Sequence, residues 1–450
     1  MKRGMIALIF FGLTLSGFGA IDNIAKIEEL SESSTLDTCT YILSDELPIS
    51  CLRVSETLDP DNIDLLEAER DPTPNLPSPV PSVDVAATRD QIEGITGDSP
   101  NPWGGVFDSQ GRYIFVDQKV EIGTGTIGTN QLIRMTPGSP GPQFEILATQ
   151  TQLAVHVPEL AGSGPIYPGL ASVDVLSDDS IVLIFSGTSL HKLLKVVPGN
   201  PPQITVIASI TGAGTISPSV GPMAVDRSQT PNVIYMYYTR ETQKGFYSVA
   251  ADQTNTEPTL WKSPENAPYN PLDFAVDDNG DILYWGGNDM GQLFRIDCVT
   301  KNETPLLSET FYERFGYLYM YNLCMDINRR TGDIISIYIA DVPYPDTQSR
   351  YNVCKVKKNP NGSYANGEVL IIEEQVFGDE DVSPWYIEGR YLISFGCGIS
   401  ISPSGETFFV SNGEPDYKMG YIPYRGIDCI LKIGTEGVLG VTPSHWRHYE

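Results

Sequence analysis

The sequence is short of basic residues and, past its start, of long apolar runs, and each shortage removes a class of function. Against 57 Asp and Glu stand only 29 Lys and Arg in 450 residues, a formal net charge of −28. Neutralising a phosphate backbone needs clustered Lys and Arg, so nucleic acid is not the partner. The same deficit opposes docking on an anionic membrane surface. After residue 20 no segment approaches the roughly 20 apolar residues that a membrane span requires. No C-x-x-C pair occurs, which removes the usual structural zinc site. No G-x-S-x-G elbow occurs, so serine chemistry of the α/β-hydrolase kind has no support. Charged residues make up only 19%, histidines number four, and no cysteine falls between residues 52 and 297.

Turn formers are abundant instead. Gly (42) and Pro (34) together make about one residue in six, against an ordinary share of about 12%. That composition suits short strands joined by turns and argues against a helical bundle or coiled coil. With 41% hydrophobic residues the chain can bury a large core, so global disorder is excluded.

The N-terminus reads as an export signal. Lys2 and Arg3 precede an apolar run over residues 5–15, and Ser16, Gly17 and Gly19 supply the small residues of a cleavage site after Gly19. Residues 1–19 are thus predicted to be a signal peptide, and the mature chain to be secreted and extracellular, or periplasmic in a bacterium. Cys39 and Cys51 suggest a local disulfide. The other five, Cys298, Cys324, Cys354, Cys397 and Cys429, are odd in number, which leaves a thiol free or paired between molecules. Asn302-Glu303-Thr304 and Asn361-Gly362-Ser363 match the glycosylation acceptor pattern. Residues 20–94 form an acidic N-terminal segment that contains a linker over 71–83, where five of thirteen positions are proline.

From residue 95 to 450 the chain repeats itself. NPWGGVFDSQGRYIFVD from Asn101 aligns with stretches that begin at Tyr167, Ser219, Asn270, Tyr319 and Phe395. Each carries an apolar strand, a polar residue, a turn and a β-branched or aromatic strand. The polar residue is Asp108, Asp174, Asp226, Asp277, Asp326 and finally Ser402, at intervals of 66, 52, 51, 49 and 76. A third strand with a basic-apolar pattern follows, as in Gln292-Leu293-Phe294-Arg295-Ile296, and then a fourth apolar run such as Phe144-Glu145-Ile146-Leu147. Four strands in each of six units predict an all-β fold, a six-bladed β-propeller of four-stranded blades. Two β-sandwiches would leave the sixfold repetition unexplained.

The pattern P-x-x-x-x-[VM]-D-x-x-G-x-[IL]-x-[VYW] resembles the NHL and gluconolactonase-like (senescence-marker) propellers, with residues 270–297 the best match. Tyr284-Trp285 is also similar to the YWTD propellers of lipoprotein receptors. The resemblance covers about residues 95–445. It implies the fold, and among its functions lactonases, strictosidine-synthase relatives and pure binding modules. In the gluconolactonase-like family a Glu opens the first inner strand, and an Asp five before a repeat Asp serves as metal ligand and base. Here the opening is Ser99-Pro100-Asn101-Pro102, and the positions five before are Trp103, Gly169, Gly221, Leu272, Tyr321 and Cys397. Both water-activating groups are missing, so no catalytic residue is nominated.

In an up-and-down blade the first strand begins and the second ends at the same mouth of the channel. Asn101, Asn270, Asp273, Asn322 and Asp341 fall there, and their hard oxygens suit Ca²⁺ as a cofactor. Tyr167, Tyr269, Tyr319, Tyr344 and Tyr421 cluster near the same loops and offer rigid contact area for a ligand. The insertions at 338–350 and 415–425 lengthen that mouth. The repeat Asp residues belong to the opposite end and read as turn caps. His156 and His191 read as packed on strands, the tail His445-Trp446-Arg447-His448 as surface, and Gly123–Gly128 as a strand connection. Two functions follow: a secreted binding module for an extracellular small molecule, glycan or protein, or a Ca²⁺-assisted hydrolase of the lactonase or esterase kind.

Overall fold

The computed structural model describes residues 41–43, 47–49, 80–122, 125–138, 140–161, 169–186, 190–211, 223–240, 243–266, 273–286, 291–309, 319–341, 349–372, 386–387, 390–391, 398–412 and 429–438. Chain contacts divide into two units, Met1–Leu76 and Pro77–Glu450. In the first, Tyr41–Leu43 and Leu47–Ile49 pair antiparallel. Residues 1–19, read as a signal, together with Cys39, Cys51, Cys397 and the C-terminal histidines, lie outside the described residues.

The second unit is all-β, built from six antiparallel four-stranded sheets. Blade 1 runs Pro102–Phe107, Tyr113–Asp117, Gln131–Thr136 and Gln143–Ala148. Blade 2 begins at Gly169–Val175, blade 3 at Met223–Asp226, blade 4 at Phe274–Val276 and blade 5 at Tyr319–Ile327. Blade 6 comprises Ile399–Ile401, Thr407–Asn412 and Cys429–Val438, and its outermost strand is Val80–Ala87 from the front of the chain. The helices are short. Arg89–Thr96 opens with a Thr88/Gln91 capping box, and Gln150–Ala154 with a second one built on Thr149 and Gln152.

Alternation along each strand places apolar side chains on both faces, so every blade buries both sides against its neighbours. The result is six apolar clusters, one per blade interface. Leu183, Phe185 and Val116 meet between blades 1 and 2, and Ile184, Ile234 and Met236 between blades 2 and 3. Tyr235, Phe246 and Tyr284 fill the next interface, and Trp285, Met325 and Ile334 the one after. Ile337, Phe408 and Leu431 join blades 5 and 6, while Phe107, Tyr113 and Phe409 close blade 6 onto blade 1. Each such side chain contributes about 1.5–3 kcal/mol on burial, which makes the ring cooperative.

Residues 80–87 are where the structure departs from the sequence reading. The proline-rich composition suggests a linker through 83 and a propeller that starts near 95. Instead, Val83, Asp84, Val85 and Ala87 pair with Ile433, Lys432, Leu431 and Ile430 across the edge of blade 6. The prolines are tolerated because the strand is outermost, where one side of the backbone needs no ladder partner. A chain shortened to begin at Pro77 should keep the cooperative thermal transition of this unit. One beginning at Arg89 should lose it and aggregate, since Cys429–Val438 becomes an open edge. Circular-dichroism melts with size-exclusion profiles decide; equal behaviour of the two chains would sink the closure argument.

The seam between blades 6 and 1 depends on glycine. Gly104 (φ 62) and Gly105 (φ 152) occupy backbone conformations that other residues rarely adopt. A Cβ on Gly398 would stand 2.5 Å from the Gly104 Cα, and one on Gly105 1.8 Å from the Tyr113 hydroxyl. That space lets the Tyr113 hydroxyl reach the Gly104 carbonyl at 3.2 Å and Ser411 Oγ at 2.9 Å.

Candidate functional site: the axial channel

The six inner strands surround a cavity of about 350 Å³ on the axis of the ring. Its walls include Ser172, Asp174, Asp273, Asp326 and Ser400, with Arg227 and Arg329 toward one rim. That rim is the end where first strands turn into second strands, because Asp108, Ser109, Asp179, Ser402 and Pro403 of those turns also border it.

The turn residues behave as their chemistry requires. Asp108 accepts from the amides of Gln110 (3.0 Å) and Arg112 (2.9 Å) and from Arg112 Nε (2.7 Å). Asp226 accepts from Ser228 N at 2.9 Å, and Asp277 from Asn279 N at 2.9 Å and Asp281 N at 3.0 Å. These are local Asx turns.

Asp174 and Asp326 differ from that set. In blade 2 the turn is closed by Leu176, whose amide donates to Ser180 O at 2.8 Å. In blade 5 it is closed by Asn328, whose amide donates to Asp333 O at 2.7 Å. Asp174 and Asp326 therefore stand two residues ahead of the turn, on the inner strand. Asp174 Oδ1 accepts from Val175 N at 2.7 Å and its Oδ2 from Val225 N of blade 3 at 2.8 Å. Asp326 accepts from Ile327 N at 2.7 Å and from Ile401 N of blade 6 at 2.7 Å. Asp273, two residues further from its turn, repeats the arrangement with Phe274 N at 2.9 Å and Met325 N of blade 5 at 2.8 Å. Each carboxylate thus bridges one inner strand to the next. Arg227 adds an ion pair to Asp174 and donates from Nε to Val175 O at 2.8 Å. Arg329 pairs with Asp278 at 2.8 Å.

Charge is expensive at this depth. Burial raises the Asp273 carboxyl to about 7, outweighing the Met325 and Phe274 amide donors that oppose it; the charges of Asp326 and Asp174 push it further up. Burial also raises Asp326, against the Ile401 amide and the Arg329 charge. At the other end of blade 1, Asp117 is raised to about 6, again chiefly by burial.

Of the residues nominated for calcium, Asp273 lies in this channel. Asn101 is buried at the far end of blade 1, where its amide donates to Asp117 Oδ1 at 2.6 Å and its Nδ2 to Gln118 O at 3.0 Å. Asn322 and Asp341 are placed on paired strands, Asn322 opposite Tyr338 and Tyr319 opposite Asp341, with their side chains outside the described set. Asn270, Tyr167, Tyr269, Tyr344 and Tyr421 also lie outside it. Among the described residues no three His, Cys, Asp or Glu side chains form a group able to hold a metal. Asp273 accepts one amide on each oxygen, and the nearby charges of Asp326 and Asp174 act on it.

The sequence reading placed Asp174 and Asp326 among the turn caps. A signal to the contrary was present. Leu176, Asp226, Asp277 and Asn328 follow at intervals of 50, 51 and 51, more even than the alignment that used Asp174 and Asp326. His191 is packed as expected, with burial lowering it to about 4. Gly125–Ile127 pairs antiparallel with Val120–Ile122. Cys298 and Cys354 are free thiols.

Six four-stranded blades closed around an axial cavity define a six-bladed β-propeller. No protein-family model matches the chain, and no curated protein does. Among solved structures, a glucose dehydrogenase shares 12% identity over 79% of this chain and 100% of its own, with a TM-score of 0.44. Regucalcin from Agrobacterium tumefaciens, a calcium-binding protein, shares 10% over 76% of this chain and 93% of its own, with a TM-score of 0.39. A luciferin-regenerating enzyme shares 10% over 80% and 98%, with a TM-score of 0.42. The likeness is one of fold.

Proposed function

We propose that the chain is a secreted β-propeller that binds a small, hydroxyl-rich extracellular molecule in its axial channel. The observation that supports this is the way Asp174, Asp273 and Asp326 are held. Each carboxylate accepts one backbone amide per oxygen, and an ionised carboxylate has about four acceptor sites. Orientation is therefore fixed while acceptor capacity remains, which suits sugar-like hydroxyl donors. A cavity of about 350 Å³ lies within the usual range for small-ligand sites. Carboxylates braced in this way act as fixed acceptors rather than as mobile nucleophiles. The second reading is a Ca²⁺-assisted hydrolase, and one observation favours it: Asp273, raised to about 7, has a value suited to proton exchange near neutrality.

The test is calorimetric titration of the purified chain with a panel of mono- and disaccharides. Binding by a member of the panel is expected, and its loss in Ser172→Trp, which projects bulk into the channel, with an unchanged circular-dichroism spectrum. A panel without binders, together with a thermal midpoint that rises in millimolar Ca²⁺ and falls back in EDTA, would replace this reading with the hydrolase.

A further inference from the structure

The two Asn-x-Ser/Thr motifs take no part in the function proposed above. Both fall on connections between third and fourth strands: Asn302 in blade 4, just before Glu303–Pro305, and Asn361 in blade 5, between Ser349–Val356 and Glu368–Ile372. These connections pack on the turns between first and second strands of their own blades. Cys298 N donates to Asp281 Oδ1 at 2.8 Å in blade 4, and Lys358 N to Asp333 Oδ1 at 2.9 Å in blade 5.

At Asn361 the chain makes a tight turn. Asn359 N donates to Ser363 O at 2.8 Å, Gly362 N donates to Asn359 O at 2.9 Å, and Gly362 takes φ 84. Residues 359–363 are all exposed. Inside the turn the Asn361 carboxamide oxygen accepts from Ser363 N at 3.0 Å and from Ser363 Oγ at 2.7 Å. The hydroxyl two residues on is thus already seated on the acceptor amide, which is the relation the motif encodes. The Asn361 nitrogen has no protein partner among the described residues. Asn302 and Thr304 are exposed too but make no such contact.

We propose that Asn361 is an N-glycosylation acceptor. The proposal rests on the secretory part of the function proposed above. The donor is a lipid-diphosphate-linked oligosaccharide of the secretory pathway. A bond forms between Asn361 Nδ2 and the anomeric carbon, and the bond from that carbon to the diphosphate oxygen breaks with its electron pair. One Nδ2 proton passes to a base of the transferase.

The test is expression of the full chain in cultured animal cells, with mass spectrometry of the peptide carrying Asn361 before and after peptide-N-glycosidase treatment in heavy-oxygen water. A glycopeptide that the enzyme converts to a labelled acid at position 361 is expected, together with its loss in Ser363→Ala and retention in Ser363→Thr. An unmodified Asn361 in protein recovered from the medium overturns the proposal and leaves secretion standing. Retention of the chain inside the cells overturns secretion alone. The same peptide is then read from a version led by a host export signal, where an unmodified Asn361 again overturns the acceptor site.

Discussion

Lys355→Ala should lower the thermal midpoint by about 4–6 °C, the largest effect expected of a single truncation outside the glycine seam. Lys355 lies on the third strand of blade 5, Ser349–Val356, and is 1% exposed. Its ammonium donates to Thr435 O at 3.1 Å, sits 3.3 Å from Asp333 Oδ2 and pairs with Glu436. Thr435 and Glu436 belong to Cys429–Val438, the strand that carries the N-terminal closure. The lysine therefore ties blade 5 to the strand on which ring closure depends. A buried charge whose partner is removed costs about 3–5 kcal/mol, because Asp333 would lose its cation and the Thr435 carbonyl its donor. Adding Asp333→Asn to the lysine variant should recover part of the loss, since it removes the stranded charge. A Lys355→Ala melt within about a degree of the parent would sink the argument.

Lowering the pH from 8 to 5 should raise the thermal midpoint, the reverse of ordinary acid destabilisation. The sign is set by three carboxyls whose folded values lie above the unfolded one; His191, lowered by burial to about 4, opposes them over part of the range without matching their sum. Asp273 is raised from 3.8 to about 7 and Asp117 to about 6, and Asp326 is also raised. Between the unfolded and folded values the native state binds more protons than the unfolded chain, so stability falls as pH rises through that window and levels off above about 7. Asp273 alone contributes on the order of 4 kcal/mol across it. The net charge of −28 acts in the same direction through self-repulsion. Below about pH 4 the trend should reverse, as Asp178 and Asp297, lowered by local hydrogen bonds and nearby cations, begin to protonate.

Asp273→Asn separates the channel from the general charge. An amide oxygen can still accept from one of the Phe274 and Met325 amides, but the nitrogen cannot accept from the other, a loss of about 1–3 kcal/mol at any pH. The variant should thus be less stable than the parent at pH 5, with the gap narrowing or reversing at pH 8. Chemical-denaturation midpoints at the two pH values measure this. A gap that is equal at both would show that Asp273 does not titrate in the window.

The strands, their turns and their number were legible because each is encoded within a few residues. Val-Asp-Asp-Asn-Gly around Asp277 specifies a turn by itself: the side chain caps the amides of Asn279 and Asp281 whatever the rest of the chain does. Six such units at near-regular spacing left the propeller as the one arrangement that buries both faces of every sheet.

The channel was only partly legible. In the sequence Asp174 and Asp326 look like turn residues, because a shift of two along a strand keeps a side chain on the same face and alternation does not distinguish the two positions. What separates them is the amide each one meets, Val225 for Asp174 and Ile401 for Asp326. That neighbour comes from another blade, and it exists only once the ring has formed.

By itself the sequence determined an all-β chain of six repeating units with a large excess of acidic residues. Only the tertiary structure decided that residues 80–87 complete the sixth blade, that Lys355 is buried between two carboxylates, and that three aspartates converge on the axis. The division has one physical cause. Turn and strand preferences act between residues adjacent in sequence, whereas closure of the ring pairs Ala87 with Ile430 across nearly the whole chain, and the surroundings of every inner residue are set by that closure.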